Sequence, residues 1–263
     1  MYSIDGVSLD NPSVGWWMEG TSAPLFTHTA ERTSQRVVGL PGVVADLEET
    51  LETLSPPQPT LVVQTPRGRL GALAALFAGG SVLSKTDDPS REARYEFLSV
   101  TPAELRPGGP VLNAAAMLRI PGVFWRDVAT TTHTTAIGAA TVTANAWNMD
   151  GLVTDAVIRV RGAVTGLRVE SGQRAYFEYD GSLTGSQYLR YECATGRAWL
   201  TATDTWSGGT EVSGQVSADG PAGKFGVFPV RLSAISSQAR VTVKTATRSG
   251  AQIEIRGKGA HLE

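Results

Sequence analysis

Residues 156–206 read AVIRVRGAVTGLRVESGQRAYFEYDGSLTGSQYLRYECATGRAWLTATDTW, and this stretch decides the fold class. Apolar and polar residues alternate in short runs, each bounded by a glycine-bearing turn at Gly162, Ser171-Gly172, Asp180-Gly181 or Thr195-Gly196. Over residues 188–193, Leu189, Tyr191 and Cys193 fall on one side while Tyr188, Arg190 and Glu192 fall on the other, the period of two that a half-buried strand requires. Short strands so evenly punctuated predict an antiparallel β-sandwich. Cys193 sits on the inward side, where a free thiol serves as a small apolar residue, and no second cysteine exists to pair with it.

Outward from this stretch, 263 residues are enough for about two domains and a sizeable core without disulfide or metal support. The 23 basic and 25 acidic residues are spread along the chain and leave a net charge of -2, so no basic stripe invites nucleic acid or anionic lipid. The start, MYSIDGVSLD, lacks a positive segment followed by an apolar one, and no run approaches the ~18 apolar residues of a membrane span. These features predict a soluble protein made in a cytoplasm.

The front of the chain predicts a hairpin around Asp5-Gly6 and then a strand through Val14, Trp16 and Trp17, whose adjacent indoles point opposite ways. Residues 36–47, RVVGLPGVVADL, are an apolar run broken by Gly39, Pro41 and Gly42. A long central strand is disfavoured there, leaving a protruding arm or an irregular surface crossing. An acidic helical turn over residues 48–54 precedes a proline break and a strand at residues 61–64. The run 69–77, RLGALAALF, predicts one helix with Leu70, Leu73, Leu76 and Phe77 on a shared face, stopped by Gly79-Gly80. Strands are predicted at residues 82–86, 94–100 and 114–126.

The threonine-rich residues 130–143 read as a linker or an edge strand and place the boundary between domains 1–130 and 131–263. Beyond the sandwich stretch come a polar, glycine-rich loop at 207–224, an apolar run at 225–230 and a hairpin. In that hairpin residues 239–245 turn at Arg248-Ser249-Gly250 into 252–256, with Val241 and Val243 facing Ile253 and Ile255. The fold class is therefore mainly β, with an α+β first domain carrying one packed helix.

Little in the sequence assembles chemistry. His28, His133 and His261 are far apart, and no metal-ligand spacing occurs, so neither a metal nor a cofactor is expected. Gly181-Ser182-Leu183-Thr184-Gly185 places its serine one position early for a nucleophile elbow, and Gly223-Lys224-Phe225 lacks the hydroxyl of a phosphate loop. Glu178 and Asp180, two apart on a strand, lie at about the 7 Å that glycosidic chemistry can use, although solvated acids on a strand show the same spacing. Tyr188, Trp199 and Trp206 are candidate glycan-binding aromatics, because aromatic faces stack on sugar rings. The competing reading puts Trp199 in the core and Ala198 outside.

The order of these features resembles the distal tail protein family of long, non-contractile-tailed bacteriophages. MYSIDGVSLDNPSVGW, the VVGLPGVVADL arm, RGRLGALAALFAGG and AAAMLRIPGVFWRD resemble its N-terminal domain, and residues 157–200 resemble its C-terminal galectin-like sandwich. The resemblance implies a non-enzymatic virion protein forming a ring, commonly of six copies, through the first domain. The ring would join the tail tube to tail-associated tip or fibre proteins at the distal tip of a tail assembled in the host cytoplasm. Carried onto this chain, the belt-forming arm comprises Val37, Val38, Gly39, Leu40, Pro41, Gly42, Val43, Val44 and Leu47, and the strand closing the domain includes Phe124, Trp125 and Arg126. The alternative function is a carbohydrate-binding sandwich that aids host adsorption, and a third option is a glycosidase using Glu178 and Asp180.

Overall fold

In a computed structural model of the chain, residues 1–18, 26–29, 34–35, 44–45, 54–172, 175–219, 230–233 and 236–262 are described. They divide into two compact units, the first from Met1 to Val128 with Leu262 and the second from Ala129 to His261.

The first unit contains β1 (Tyr2–Ile4), β2 (Val7–Ser8), β3 (Ser34–Gln35), β4 (Val44–Ala45), β5 (Thr60–Pro66), α1 (Leu70–Gly79), β6 (Val82–Lys85), β7 (Arg91–Arg94), β8 (Glu96–Glu104), β9 (Val111–Arg119) and β10 (Trp125–Asp127). Asp5 and Gly6 take φ of 46° and 82°, the paired positive values of a tight hairpin turn, and so pair Ile4 with Val7. One sheet runs β2-β1-β6-β7-β10, and a second runs β5-β9-β8. The helix buries Leu73 and Phe77, with Leu70 and Leu76 packed at the core's margin. Gly80 ends it, donating its N–H to Leu76 O, at a point where an added Cβ would collide with Ile4 and the Tyr95 hydroxyl.

Three predicted strands of this unit are corrected. The run 94–100 splits at Tyr95, whose N–H bonds Ser81 O and whose hydroxyl donates to Phe77 O at 2.9 Å, so β7 joins the first sheet and β8 the second. The run 114–126 breaks at Pro121-Gly122-Val123, where Val123 takes a φ of 66°, and resumes as β10. Instead of a strand, the segment before Trp16 is a 3₁₀ turn, Pro12–Val14, followed by single bridges Asn11↔Trp16 and Trp17↔Gln64. The indoles do part company: Trp16 is buried, whereas Trp17 is half-buried and donates Nε1 to Gln64 Oε1. The acidic turn at 48–54 lies outside the described residues apart from Leu54.

The second unit contains β11 (Thr131–Ala136), β12 (Thr141–Asn148), β13 (Val157–Ser171), β14 (Ala175–Leu183), β15 (Tyr188–Glu192), β16 (Arg197–Thr201), β17 (Thr210–Glu211), β18 (Val216–Asp219), β19 (Arg231–Ser233), β20 (Ser236–Lys244) and β21 (Thr247–Gly257). All of these pair antiparallel, along β11-β21-β13-β15-β16-β17 and along β12-β20-β19, with β14 between β13 and β18. The threonine-rich segment is thus an edge strand, β11, and the start of the next strand in sequence, β12, rather than a linker. Phe177 and Tyr191 stack at 4.0 Å in the core, beside which Val241, Val243, Ile253 and Ile255 are all buried.

Gly162 does not end a strand. β13 runs through it and pairs with β15 and β21 in its first half and with β14 and β20 in its second. Gly162 and Gly166 take φ of 92° and 58°, and each stands alone opposite two residues of a neighbouring strand, Gly250-Ala251 of β21 and Asp180-Gly181 of β14, so β13 bends at two bulges whose extra residues lie on its partners. Gly181 likewise lies inside β14, where the Tyr179 ring occupies the space a side chain would need.

The terminal hairpin is also corrected. β20 pairs with β12, β13 and β19, while β21 pairs with β11 and β13, so the two consecutive strands belong to different ladders. Arg248-Ser249-Gly250 lie within β21, and Ser249 stands opposite Ala163 beside the Gly162 bulge. The turn-like composition serves a bulge, not a reversal. Within the predicted 207–224 loop, β17 and β18 pair with β16 and β14.

Candidate functional site

Around the arm, β3 and β4 pair Ser34 with Ala45 and Gln35 with Val44, an antiparallel ladder that brings the two flanks of residues 36–43 together. Val44 lies in that ladder. Val37, Val38, Gly39, Leu40, Pro41, Gly42, Val43 and Leu47 lie outside the described residues. Of the domain-closing set, Trp125 and Arg126 are in β10, and Phe124 immediately precedes it. Trp125 is fully buried between Tyr2 and Phe26, with ring centroids at 6.2 and 4.9 Å, and Lys85 Nζ lies 5.2 Å from its ring.

Among the described residues, every large hydrophobic side chain that is strongly exposed belongs to the first unit: Met1, Val7, Leu98, Leu105, Met117 and Val128. Leu98 lies on β8, which ends the three-stranded sheet, and Met117 on its neighbour β9. β8 is exposed along nearly its whole length. Such an edge offers both free backbone groups and apolar side chains to another chain.

In the second unit, antiparallel register lines up five side chains across five strands: Glu254, Arg159, Arg190, Trp199 and Glu211. Alternation sends Ile158, Val160, Leu189, Tyr191 and Ala198 into the core, so this row occupies the opposite face. The competing assignment of Trp199 to the core is overturned, since Ala198 is fully buried and Trp199 is half-exposed. Arg159 lies 4.1 Å from the Trp206 ring and 5.0 Å from the Tyr188 ring, while Arg190 lies 4.5 Å from the Trp199 ring. The three candidate glycan-binding aromatics therefore stand on one surface, joined through two arginines.

The two arginines differ in their closure. Arg159 donates Nε to Glu254 Oε2 at 2.6 Å and Nη1 to the Thr205 carbonyl at 3.1 Å, with Asp204 Oδ1 2.7 Å from the same nitrogen. Burial opposes its charge, but the Glu254 hydrogen bond and the carboxylates of Glu254 and Asp204 outweigh that and raise its pKa. Arg190 is just as buried, at 4% exposed against 3%, yet its Nε and Nη1 have no hydrogen-bond partner among the described residues. Its nearest carboxylate, Glu192, is 3.8 Å from Nη2.

Other chemistries are not gathered. No group of three or more potential metal ligands occurs among the described residues. Cys193 is fully enclosed, and burial pushes its thiol well above the ordinary range. Glu178 faces Arg168 at 3.5 Å, an ion pair on the sheet surface.

No family model matches the chain, and no curated protein sequence matches it. Among solved structures, the crystal structure of the SPP1 Dit (gp 19.1) protein aligns over 98% of this chain and 98% of its own, with 12% identity and a TM-score of 0.59. That protein is presented as a paradigm of the hub adsorption apparatus in phages that infect Gram-positive bacteria. The chain has the Dit fold. Chains of the phage P2 baseplate in its activated conformation, with calcium and with strontium, align over 87% and 88% of this chain at 8% identity and a TM-score of 0.32, too low to establish a common fold.

Two features of these candidate surfaces carry no signal in the sequence. Arg159 and Arg190 carried no motif, although the alternation that sets Arg190 beside Tyr188 was visible. The exposed edge of β8 was hidden because residues 94–100 read as one strand ending at Val100, whereas β8 begins at Glu96 and runs on to Glu104.

Proposed function

We propose that this chain is a structural virion protein that assembles into a ring at the distal end of a phage tail and joins the tail tube to tail-tip proteins. The observation that carries this reading is the Dit fold extending over 98% of both chains, with both units included. Among the described residues the strongly exposed large hydrophobic side chains all lie in the first unit, which supports that unit as the one that packs against neighbouring copies. A free edge strand and an apolar arm supply what head-to-tail subunits need, and head-to-tail contacts close into rings. The ring is proposed as a hexamer, the domain boundary near residue 130 as the division between ring and projecting sandwich, and the virion tail tip as its location. Negative-stain images of the purified full chain test this directly: annular particles are expected, and only small isolated particles would contradict it.

A second reading, a carbohydrate-binding sandwich that aids adsorption, is favoured by one observation: Tyr188, Trp199 and Trp206 share one partly exposed surface of the second unit. The two readings are compatible, because they use different units of the chain.

A further inference from the structure

We infer that the Arg190–Trp199 position on the outer face of the second unit is a binding site for an acidic saccharide, one that carries a carboxylate on its ring. This inference rests on the carbohydrate reading of the same surface and sharpens it to a charge class. It does not depend on the ring.

The argument begins with an imbalance. Arg159 and Arg190 are direct cross-strand partners, and like charges placed opposite one another destabilise a sheet. Arg159 is compensated by Glu254 and Asp204 and by the Thr205 carbonyl. Arg190 carries the same charge at the same depth with, among the described residues, no hydrogen-bond partner for Nε and Nη1 and only the Glu192 carboxylate within ion-pair reach, at 3.8 Å. A buried cation with open donors is costly, and the departure from ordinary pairing is of the kind found where a ligand completes a site. The missing partner is an anionic acceptor.

The surroundings narrow the class further. Trp199 lies against the Arg190 guanidinium and remains half-exposed, and Tyr188 and Trp206 flank Arg159 in the same way. Aromatic faces stack on sugar rings, while guanidinium groups bind carboxylates with charge-assisted hydrogen bonds. A neutral sugar would leave the Arg190 charge uncompensated. A small inorganic anion would leave the aromatic faces unused.

The test uses the full chain and two probes, trigalacturonic acid and its neutral counterpart galactotriose, followed by tryptophan fluorescence and calorimetry. The expected result is saturable binding of the acid that weakens on raising salt, with the neutral probe at least tenfold weaker. Arg190→Met is expected to abolish binding of the acid without lowering the melting temperature, and Trp199→Ala to weaken it at least tenfold. Binding of the neutral probe alone, or of both equally, overturns the acidic assignment and leaves the carbohydrate reading standing. Absence of binding by either probe overturns both, and an Arg190→Met chain that binds the acid normally removes Arg190 from the site. The salt dependence is measured on the unmodified chain, so the charge assignment stays testable even if a variant fails to fold.

Discussion

Arg159 and Arg190 face one another across β13 and β15, equally buried, but among the described residues only Arg159 is hydrogen-bonded to a carboxylate, while Arg190 has Glu192 at 3.8 Å. Truncating the two should therefore have opposite consequences. Arg159→Met leaves Glu254, whose side chain is 13% exposed, without the partner 2.6 Å away, and should cost about 3–5 kcal/mol. Arg190→Met removes a charge with open donors and should be neutral or stabilising. Denaturant titration of the two variants checks the pair, and equal losses would show that the closure seen at Arg159 has no energetic weight.

Alkaline pH should loosen the first unit through Tyr95. Burial raises its pKa to about 12 from an ordinary 10.0, with Asp5 adding to the shift, and its hydroxyl donates to Phe77 O at the end of α1. The unfolded chain gives up this proton first, so the contribution is complete below pH 10 and is lost as pH rises towards 12. Between pH 10 and 12 the melting temperature of the full chain should fall more steeply than that of Tyr95→Phe; an equally steep alkaline decline in the variant would assign the loss elsewhere.

The bend of β13 should depend on Gly162. An alanine there would strain a φ of 92° and place its Cβ 2.6 Å from Gly250 O. The strained backbone alone costs about 1–3 kcal/mol, and the collision adds to it. Gly250 also takes a positive φ, of 57°, but nothing lies within 4 Å of an added Cβ, so Gly250→Asn should be tolerated. Thermal unfolding of both variants separates bulge geometry from general intolerance of substitution.

The proposed arm predicts a variant that folds and does not assemble. Gly42 follows Pro41 in the sequence between the paired β3 and β4, and Gly42→Val should hinder the bend proposed for the arm while leaving the second unit intact. Circular dichroism and particle images should show a folded chain without rings. Normal rings from this variant would remove the arm from the interface.

Much of the fold could be read from local pattern, and what could not depended on distant partners. The Asp5-Gly6 hairpin and the helix with Leu73 and Phe77 inward follow from turn chemistry and periodicity, which act within a few residues. Gly162 and Gly250 were read as strand ends because a glycine in a bulge and a glycine in a turn look alike in one dimension. Only the pairing of β13 with β21, some 90 residues away, distinguishes them. The same limit applies to the candidate surface. Alternation puts Tyr188 and Arg190 on one side of their strand, but the side of Trp199 and the Arg159–Arg190 opposition follow only from strand register. The burial of Arg190 follows from its setting beside Trp199.

The account turns on contacts between copies of this chain, and the most direct measurement is the mass of the purified full chain by multi-angle light scattering across a concentration series. A stable species at a whole multiple of 27.8 kDa, six-fold for the proposed hexamer, is predicted, together with its loss on Leu98→Asp. A strict 27.8 kDa monomer at every concentration would contradict it.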